Sequence, residues 1–335
     1  MLRFVLRRLA LMVPVLLGLS VLLFIWVRNL PGQGPARSLL GPRATPERIE
    51  AINQSYGFND PIVEQYFRYV GSLLRGDFLS SIRDGDPVLD SFFNRLPVTI
   101  ELSLAALLFA IVVGIPLGYV AARNQGRLLD TAVVSGSLLG VATPVFFLAL
   151  LLKLVFANWL DVLPATLRQD PRIDATEVTG FAVLDGLLTG EYDAAWDAVL
   201  HLILPGIALG TIPLAIIVRI TRAAVAEVMQ EDYVRTAESK GLSRGTISRR
   251  HVLRNAMLPV ATTIGLQTGL LFSGAVLTEQ VFGFQGIGSY LFGAISQRDY
   301  PVLQGYIIFI AIMYSLINLI VDLLYGVIDP RVRVS

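Results

Sequence analysis

The sequence contains no cysteine and only two histidines, and both scarcities narrow the chemistry that the chain can perform. Without cysteine, the chain can have no disulfide bonds, no thiol nucleophile and no thiolate-bound metal. The two histidines, His201 and His251, lie too far apart in the sequence to have the spacing of a metal site. The sequence therefore predicts no metal site and no cysteine-based catalysis.

Charged residues are also scarce. They make up only 16% of the chain, with a formal net charge of +1, which argues against a nucleic-acid-binding protein. The phosphate-binding pattern GxxxxGK(S/T) is absent. The glycine-rich run Gly283–Gly288 follows an apolar helix rather than a strand, so we do not interpret it as a phosphate site. The sequence therefore shows no motif for binding ATP.

Apolar residues, in contrast, are abundant. They account for 54% of the chain, and the mean hydropathy is +0.64, which is too apolar for a soluble domain of 335 residues. About 20 apolar residues in a helix cross a bilayer core of about 30 Å. Six runs reach roughly this length: Leu9–Val27, Val98–Ala121, Thr131–Ala157, Val199–Val218, Ala256–Thr278 and Val302–Tyr325. The sequence thus predicts an all-α, polytopic membrane protein with six transmembrane helices.

The distribution of arginine and lysine predicts the orientation of these helices. Segments 1–8, 122–130, 219–255 and 326–335 together carry 15 basic and 6 acidic residues. Segments 28–95, 159–198 and 283–301 carry 11 basic and 17 acidic residues. Because basic residues concentrate on the cytoplasmic side, both termini are predicted to be cytoplasmic.

Three regions follow from this pattern. Residues 1–27 are interpreted as an N-terminal segment with the first membrane helix, and residues 28–95 as an extracytoplasmic loop. Residues 96–335 form a five-helix core with a cytoplasmic loop at 219–255. A cleaved signal peptide is the competing interpretation of the first run, but that run is long and no small-x-small cleavage site follows it.

The loop at 219–255 contains a short predicted helix. Asp232 can cap a helix over Tyr233–Lys240, and Gly241 can end it. Two turns are too few for a stable isolated helix. Its apolar face, formed by Tyr233 and Ala237 with Val234 beside them, predicts that the helix docks into a groove on a partner. Arg235 points away from this face. A solvated basic connecting loop is the alternative.

Part of this loop resembles a known family signature. Tyr233–Ala237, Lys240–Leu242 and Leu253–Pro259 resemble the cytoplasmic signature loop of permeases of bacterial binding-protein-dependent ABC importers. The resemblance is strongest to the first-subunit type of the dipeptide/oligopeptide subfamily. The family has Glu-Ala-Ala where this chain has Arg-Thr-Ala, so only Ala237 and Gly241 match the broad pattern. Further landmarks are similar along the chain: Tyr56–Pro61, Ala142–Phe147, Leu202–Pro205, Leu277–Phe282 and Arg298–Pro301.

This resemblance implies a type I ABC importer permease fold in the bacterial cell membrane, in contact with lipid. It also implies that the chain is not an enzyme, and that it forms half of a translocation pathway for short peptides. The implied partners are a second, related permease subunit, an extracytoplasmic peptide-binding protein, and two ATPase subunits that hold ATP and magnesium. The implied ATPase-coupling residues are Asp232, Tyr233, Val234, Arg235, Ala237, Gly241 and Leu242.

A permease for nickel or another oligopeptide-like solute is the main alternative. An ion-driven transporter is less favoured because mid-span positions are nearly all uncharged. An intramembrane enzyme is less favoured because the sequence has no cysteine, no histidine cluster and no convergent acid pair.

Charges within or beside the spans each need a reason, because burying them in lipid is costly. Glu279 and its neighbour Gln280 end the fifth apolar run, and we interpret them as candidates for lining the pathway. Glu101 is interpreted as an interfacial carboxylate beside Arg95. Lys153 is expected to extend its ammonium towards the outer surface.

Overall fold

A computed structural model gives the structure of residues 2–29, 36, 40, 44–173 and 175–328. Within these residues the chain is all-α, as predicted, and the only strand-like pairing is a single bridge between Ser80 and Pro87. The helices are α1 (Leu2–Arg28), α2 (Pro46–Tyr56), α3 (Ile62–Leu74), α4 (Val88–Arg123), α5 (Leu128–Ala142), α6 (Val145–Leu152), α7 (Ala182–Thr189), α8 (Tyr192–Val228), α9 (Asp232–Ser239), α10 (Arg254–Phe282), α11 (Ile287–Gln297) and α12 (Tyr300–Ile328). Two π-helical stretches, Lys153–Trp159 and Ile247–Leu253, follow α6 and precede α10, respectively, and a single helical turn, Arg244–Thr246, leads into the second stretch.

Four of these helices are long and apolar enough to cross a membrane, and two bent pairs raise the number to six if each pair crosses once. The four continuous spans are Val5–Arg28, Val88–Arg123, Tyr192–Val228 and Tyr300–Val321. All six predicted apolar runs fall within these elements, which confirms a polytopic membrane protein. The second span begins at Val88, ten residues before the apolar run does.

The third apolar run, expected as one helix, is instead bent by 103° between α5 and α6. The bend occurs at Pro144, which lacks a backbone N–H and forces the preceding Thr143 into an extended conformation. The Thr143 hydroxyl and backbone N–H both donate to the carbonyl of Leu139, at 2.9 and 3.1 Å, and so satisfy a helix-end acceptor. Pro116, by contrast, lies inside the continuous helix α4. The fifth run is also bent, by 58°.

The chain divides into two compact units, residues 1–96 with 285–319, and residues 97–284 with 320–335. This grouping differs from the sequence-based division because residues 285–319 join the N-terminal residues. The core of the N-terminal unit contains Phe92, Tyr306 and Phe309, and the buried Ser91 and Tyr306 hydroxyls lie 2.7 Å apart.

The second unit is built around α8, whose apolar segment is the most buried of the four continuous spans. Small residues let α4 approach it closely. A Cβ atom added at Gly210 would lie 2.6 Å from the carbonyl oxygen of Ala106, and one added at Gly118 would lie 2.6 Å from Thr221. Gly136 and Gly140 have the same four-residue spacing as Gly206 and Gly210, but a Cβ atom added at Gly136 would meet no described atom within 4 Å. Close backbone packing of small residues therefore joins α4 to α8.

Candidate functional site

The predicted short helix is present as α9, and its end has the geometry that the sequence indicates. Gly241 adopts a left-handed backbone with φ +74°. The N–H groups of Gly241 and Leu242 donate to the carbonyls of Glu238 and Ala237, at 2.9 and 3.3 Å. These are the two hydrogen bonds of a Schellman motif, which satisfies carbonyls that the helix end leaves without partners.

The start of α9 differs from the prediction. Glu231 occupies the N-cap position without a side-chain capping bond, and Asp232 is the first helical residue. The Asp232 side chain is almost fully exposed and lies 3.7 Å from Arg235. An acidic group in the first turn still interacts favourably with the helix dipole, but the expected cap is wrong.

The apolar face of α9 packs within the chain itself. Val234 and Ala237 are only 3% and 4% exposed, whereas Tyr233 is 40% exposed. The socket for Val234 and Ala237 is a cluster of buried side chains from α4, α8, the second π-helical stretch and α10: Ala122, Ala224, Val225, Ile247, Val252 and Ala256. The expectation that this face is free to fit a partner is therefore wrong, because burying it here already gives the short helix its stability.

The opposite face of α9 is exposed and polar. Asp232, Arg235 and Ser239 are all exposed, and the Arg235 side chain is 70% accessible. Leu242, just after the helix, is an exposed apolar residue. Tyr233 lies at the border of the two faces, where its hydroxyl accepts a hydrogen bond from Asn255 at 3.1 Å. This exposed face is the part of the predicted coupling loop that a partner can contact.

Two side-chain interactions connect the segments next to α9. The Arg222 guanidinium donates to both carboxylate oxygens of Asp130, at 2.5 and 2.7 Å, and Gly126 donates its N–H to the same carboxylate at 2.9 Å. The Tyr119 and Ser248 hydroxyls lie 2.5 Å apart. The predicted cytoplasmic segments 122–130 and 219–255 therefore meet at one end of this unit. In the sequence, Asp130 directly precedes the third apolar run and Arg222 closely follows the fourth. Nothing in the sequence indicates that these two residues form a pair.

A second network lies at the opposite end of the same unit and corrects the interpretation of Glu101. Glu101 is buried, accepts two hydrogen bonds from Arg168 at 2.9 and 2.5 Å, and accepts the N–H of Val183 at 2.9 Å. It is not an exposed interfacial group beside Arg95. Residues 165–198, for which the sequence suggests no role, are thus fastened to α4 by a buried ion pair.

Asp185 stabilises the same segment from within. Burial raises the pKa of its carboxyl, but hydrogen bonds from the Thr179 hydroxyl and from the backbone N–H groups of Thr179 and Gly180 outweigh burial and lower that pKa overall. The carboxylate therefore stays ionised and holds residues 178–185 in one conformation.

The suggestion that Glu279 and Gln280 line a pathway stays a prediction. The Glu279 side chain is fully buried, and Oε1 accepts a hydrogen bond from the Thr99 hydroxyl at 2.7 Å. Its backbone carbonyl accepts the N–H groups of Gly283 and Phe284, so Glu279 helps to end α10. Gln280 is exposed. Lys153 donates to the carbonyl of Val281 at 3.4 Å. Among the described residues, no group of three or more histidine or acidic side chains could hold a metal.

Comparison with known proteins identifies the family. Residues 114–334 match the model of the binding-protein-dependent transport system inner membrane component, and residues 1–103 match the N-terminal membrane component of such systems. The chain is 44% identical over 333 residues to the dipeptide transport system permease protein DppB of Alkalihalophilus pseudofirmus, covering 99% of this chain and 100% of the relative.

Two relatives from Escherichia coli extend the comparison. DppB of strain K12, also named a dipeptide transport system permease protein, is 43% identical over 338 residues, covering 99% of both chains. The glutathione transport system permease protein GsiC of E. coli O1:K1 is 36% identical over 333 residues, again covering 99% of both chains. The all-α structure, the membrane spans and these matches agree with the resemblance of the signature loop. The chain belongs to the family of inner membrane components of binding-protein-dependent transport systems.

Proposed function

We propose that this chain is a permease subunit of an ATP-driven importer for short peptides. The observation that carries the proposal is the identity of 43–44% over almost the whole chain with permeases named for dipeptide transport. The proposed assembly contains a second, related permease subunit, two ATPase subunits and an extracytoplasmic peptide-binding protein. ATP and magnesium would bind to the ATPase subunits, and this chain would supply half of the pathway.

In this proposal α9 is the element that meets an ATPase subunit. Its exposed face contains Asp232, Arg235 and Ser239, followed by Leu242. Its buried face packs mainly on the second π-helical stretch, and Val234 and Ala237 belong to a buried cluster that also contains side chains of α4, α8 and α10. A displacement of the exposed face by an ATPase would therefore reach α8 and α10 through the π-helical stretch that contacts both.

An uptake assay tests the proposal that the substrates are short peptides. Deleting the gene should reduce uptake of radiolabelled dipeptides to background, because no other subunit can replace half of the pathway, and the wild-type gene should restore uptake. Uptake of free amino acids and of nickel should stay unchanged and serves as the control. Normal dipeptide uptake together with lost nickel uptake would assign the chain to the alternative substrate. Loss of glutathione uptake alone would assign it to that tripeptide.

We further propose that both termini and α9 lie in the cytoplasm, since basic residues are enriched in the segments joined to them. The natural absence of cysteine allows a direct test with single cysteines at exposed positions. Glu47→Cys and Glu177→Cys should react with a membrane-impermeant maleimide in intact cells, and Ser243→Cys should react only after the cells are permeabilised. Labelling of Ser243→Cys from outside would reverse the orientation.

A further inference from the structure

The N-terminal unit encloses a cavity of about 130 Å³ at the ends of two membrane spans. Arg28, the last residue of the first span, and Tyr300, the first residue of the last span, both line it. Helix α3 contributes Gln65 and Tyr69 to the wall. Because both spans end here, the cavity lies at the level where the chain leaves the bilayer.

Arg28 carries a positive charge into this cavity. Its Nε and Nη2 atoms donate to Oε1 of Gln65, at 3.0 and 2.8 Å, and its guanidinium carbon lies 3.4 Å from the centre of the Phe24 ring. In the part of the chain that the structure describes, no acidic side chain forms an ion pair with Arg28. A guanidinium has five N–H donors in a planar fork, so donors remain for an anion.

Tyr69 supplies a second donor. Its hydroxyl is buried and has no hydrogen-bond partner among the described residues, which is costly for a polar group. Burial raises the pKa of Tyr69, and the nearby charge of Arg28 opposes this only in part. The phenol therefore keeps its proton and can donate it to an acceptor in the cavity.

The surfaces around the cavity are apolar and exposed. On α3, the residues Val63, Phe67 and Leu74 share one face of the helix and are each more than 60% exposed. On α1, Leu22 and Ile25 are exposed just before Arg28. Such surfaces beside the end of a span suit acyl chains, because an amphipathic helix lies at the bilayer boundary with its apolar face in the lipid.

One acidic side chain, Asp77, also lines the cavity. Asp77 is exposed, and its Oδ1 accepts a hydrogen bond from the backbone N–H of Leu79 at 3.1 Å. Another cation in the lining, Arg68, is already paired with Asp60 at 2.7 Å. Arg28 is therefore the cation that an incoming anion can use.

We propose that this cavity binds the head group of a membrane phospholipid, with phosphate oxygens accepting hydrogen bonds from the Arg28 guanidinium and the Tyr69 hydroxyl. The acyl chains would cover the exposed apolar face of α3 and the end of α1. A bound phospholipid would satisfy the buried hydroxyl, neutralise the arginine and fasten the first span to the bilayer surface.

Native mass spectrometry of the full chain in a phosphate-free detergent tests this proposal. Dioctanoyl phosphatidylglycerol should bind, whereas dioctanoylglycerol, which lacks the phosphate, should bind at least about tenfold more weakly, since a charge-assisted contact exceeds about 1.4 kcal/mol. Arg28→Gln should lose a similar factor, and Tyr69→Phe a smaller one. Tyr66→Phe is the matched control, because the Tyr66 hydroxyl lies 2.9 Å from the Ser20 hydroxyl and does not line the cavity.

Inorganic phosphate and glycylglycine are included as competitors to distinguish the source of the anion. Displacement of the phospholipid by either at low concentration would replace the lipid by a small soluble anion and overturn the proposal. Equal binding by wild type, Arg28→Gln and Tyr69→Phe would also overturn it. If Arg28→Gln does not fold, Tyr69→Phe decides the question alone, since it removes one oxygen atom and keeps the ring.

Discussion

Substituting Asp130 by alanine is expected to destabilise the chain and abolish transport. The Asp130 side chain is 6% exposed and receives two hydrogen bonds from Arg222. Removing one partner of a buried ion pair costs about 3–5 kcal/mol, and the 30% exposure of Arg222 places the expected loss at the lower end of that range. For a chain of this size, that loss lowers the melting temperature by roughly 5–10 °C. Thermal unfolding in detergent, with dipeptide uptake in parallel, measures both effects.

A double variant separates the loss of the interaction from the burial of an unpaired charge. Asp130→Leu combined with Arg222→Met removes both charges, and the melting temperature should recover because no buried charge is left without a partner. Glu227→Ala, which changes an exposed acidic residue near the end of α8, is the matched control and should melt like the wild type. A normal melting temperature for Asp130→Ala would show that this ion pair contributes nothing to stability.

The second large effect concerns α9 and requires two variants that should behave differently. Ala237→Trp places a large side chain in a site that is 4% exposed, and overpacking costs roughly 1–3 kcal/mol or more. This variant should melt at a lower temperature and lose the ATPase, because α9 is displaced from the buried cluster that it shares with the second π-helical stretch, α4, α8 and α10. The loss would arise inside this chain and not from a blocked groove on the partner.

Arg235→Glu should lose the ATPase without losing stability. The Arg235 side chain is 70% exposed, and its pair with Asp232, at 3.7 Å, contributes about 0–1 kcal/mol. Reversing its charge should therefore leave the melting temperature within about 2 °C of the wild type, while disrupting a complementary contact on a partner. Co-purification of the ATPase subunits, with dipeptide uptake in parallel, provides the measurement.

Arg172→Glu is the matched control for this charge reversal, because Arg172 is exposed in the loop at the opposite end of the same unit. It should retain the ATPase. If Arg235→Glu keeps full association and full transport, the exposed face of α9 does not contact the ATPase, and the coupling proposal fails even if Ala237→Trp is defective.

Sequence patterns predicted some parts of this site well. The left-handed residue at Gly241 and the length of α9 both follow from local chemistry, namely a glycine after two helical turns. The cap at Asp232 was misplaced by one residue, because an acidic side chain stabilises the first turn from either position. Short-range patterns cannot distinguish these two registers.

The ion pairs could not be predicted in the same way. Asp130 and Arg222 are separated by 92 positions, and Glu101 and Arg168 by 67. Nothing local links the two members of either pair, so Glu101 is interpreted from the sequence as an interfacial group beside Arg95. Only the packing of α4, α5 and α8 and the fold of the 159–198 segment bring the opposite charges together.

The sequence by itself determined that this chain is an all-α membrane protein, since long apolar runs leave no other solution for backbone hydrogen bonds in lipid. It also determined the family, through the signature loop and landmarks along the whole chain. The tertiary structure decided that Val234 and Ala237 are buried within the chain, that Glu279 is hydrogen-bonded to Thr99, and that Pro144 divides a span sharply whereas Pro116 does not. The physical reason is that local sequence does not fix the partner of an apolar face or a charge, or whether a proline bends a helix. Long-range packing selects among these possibilities.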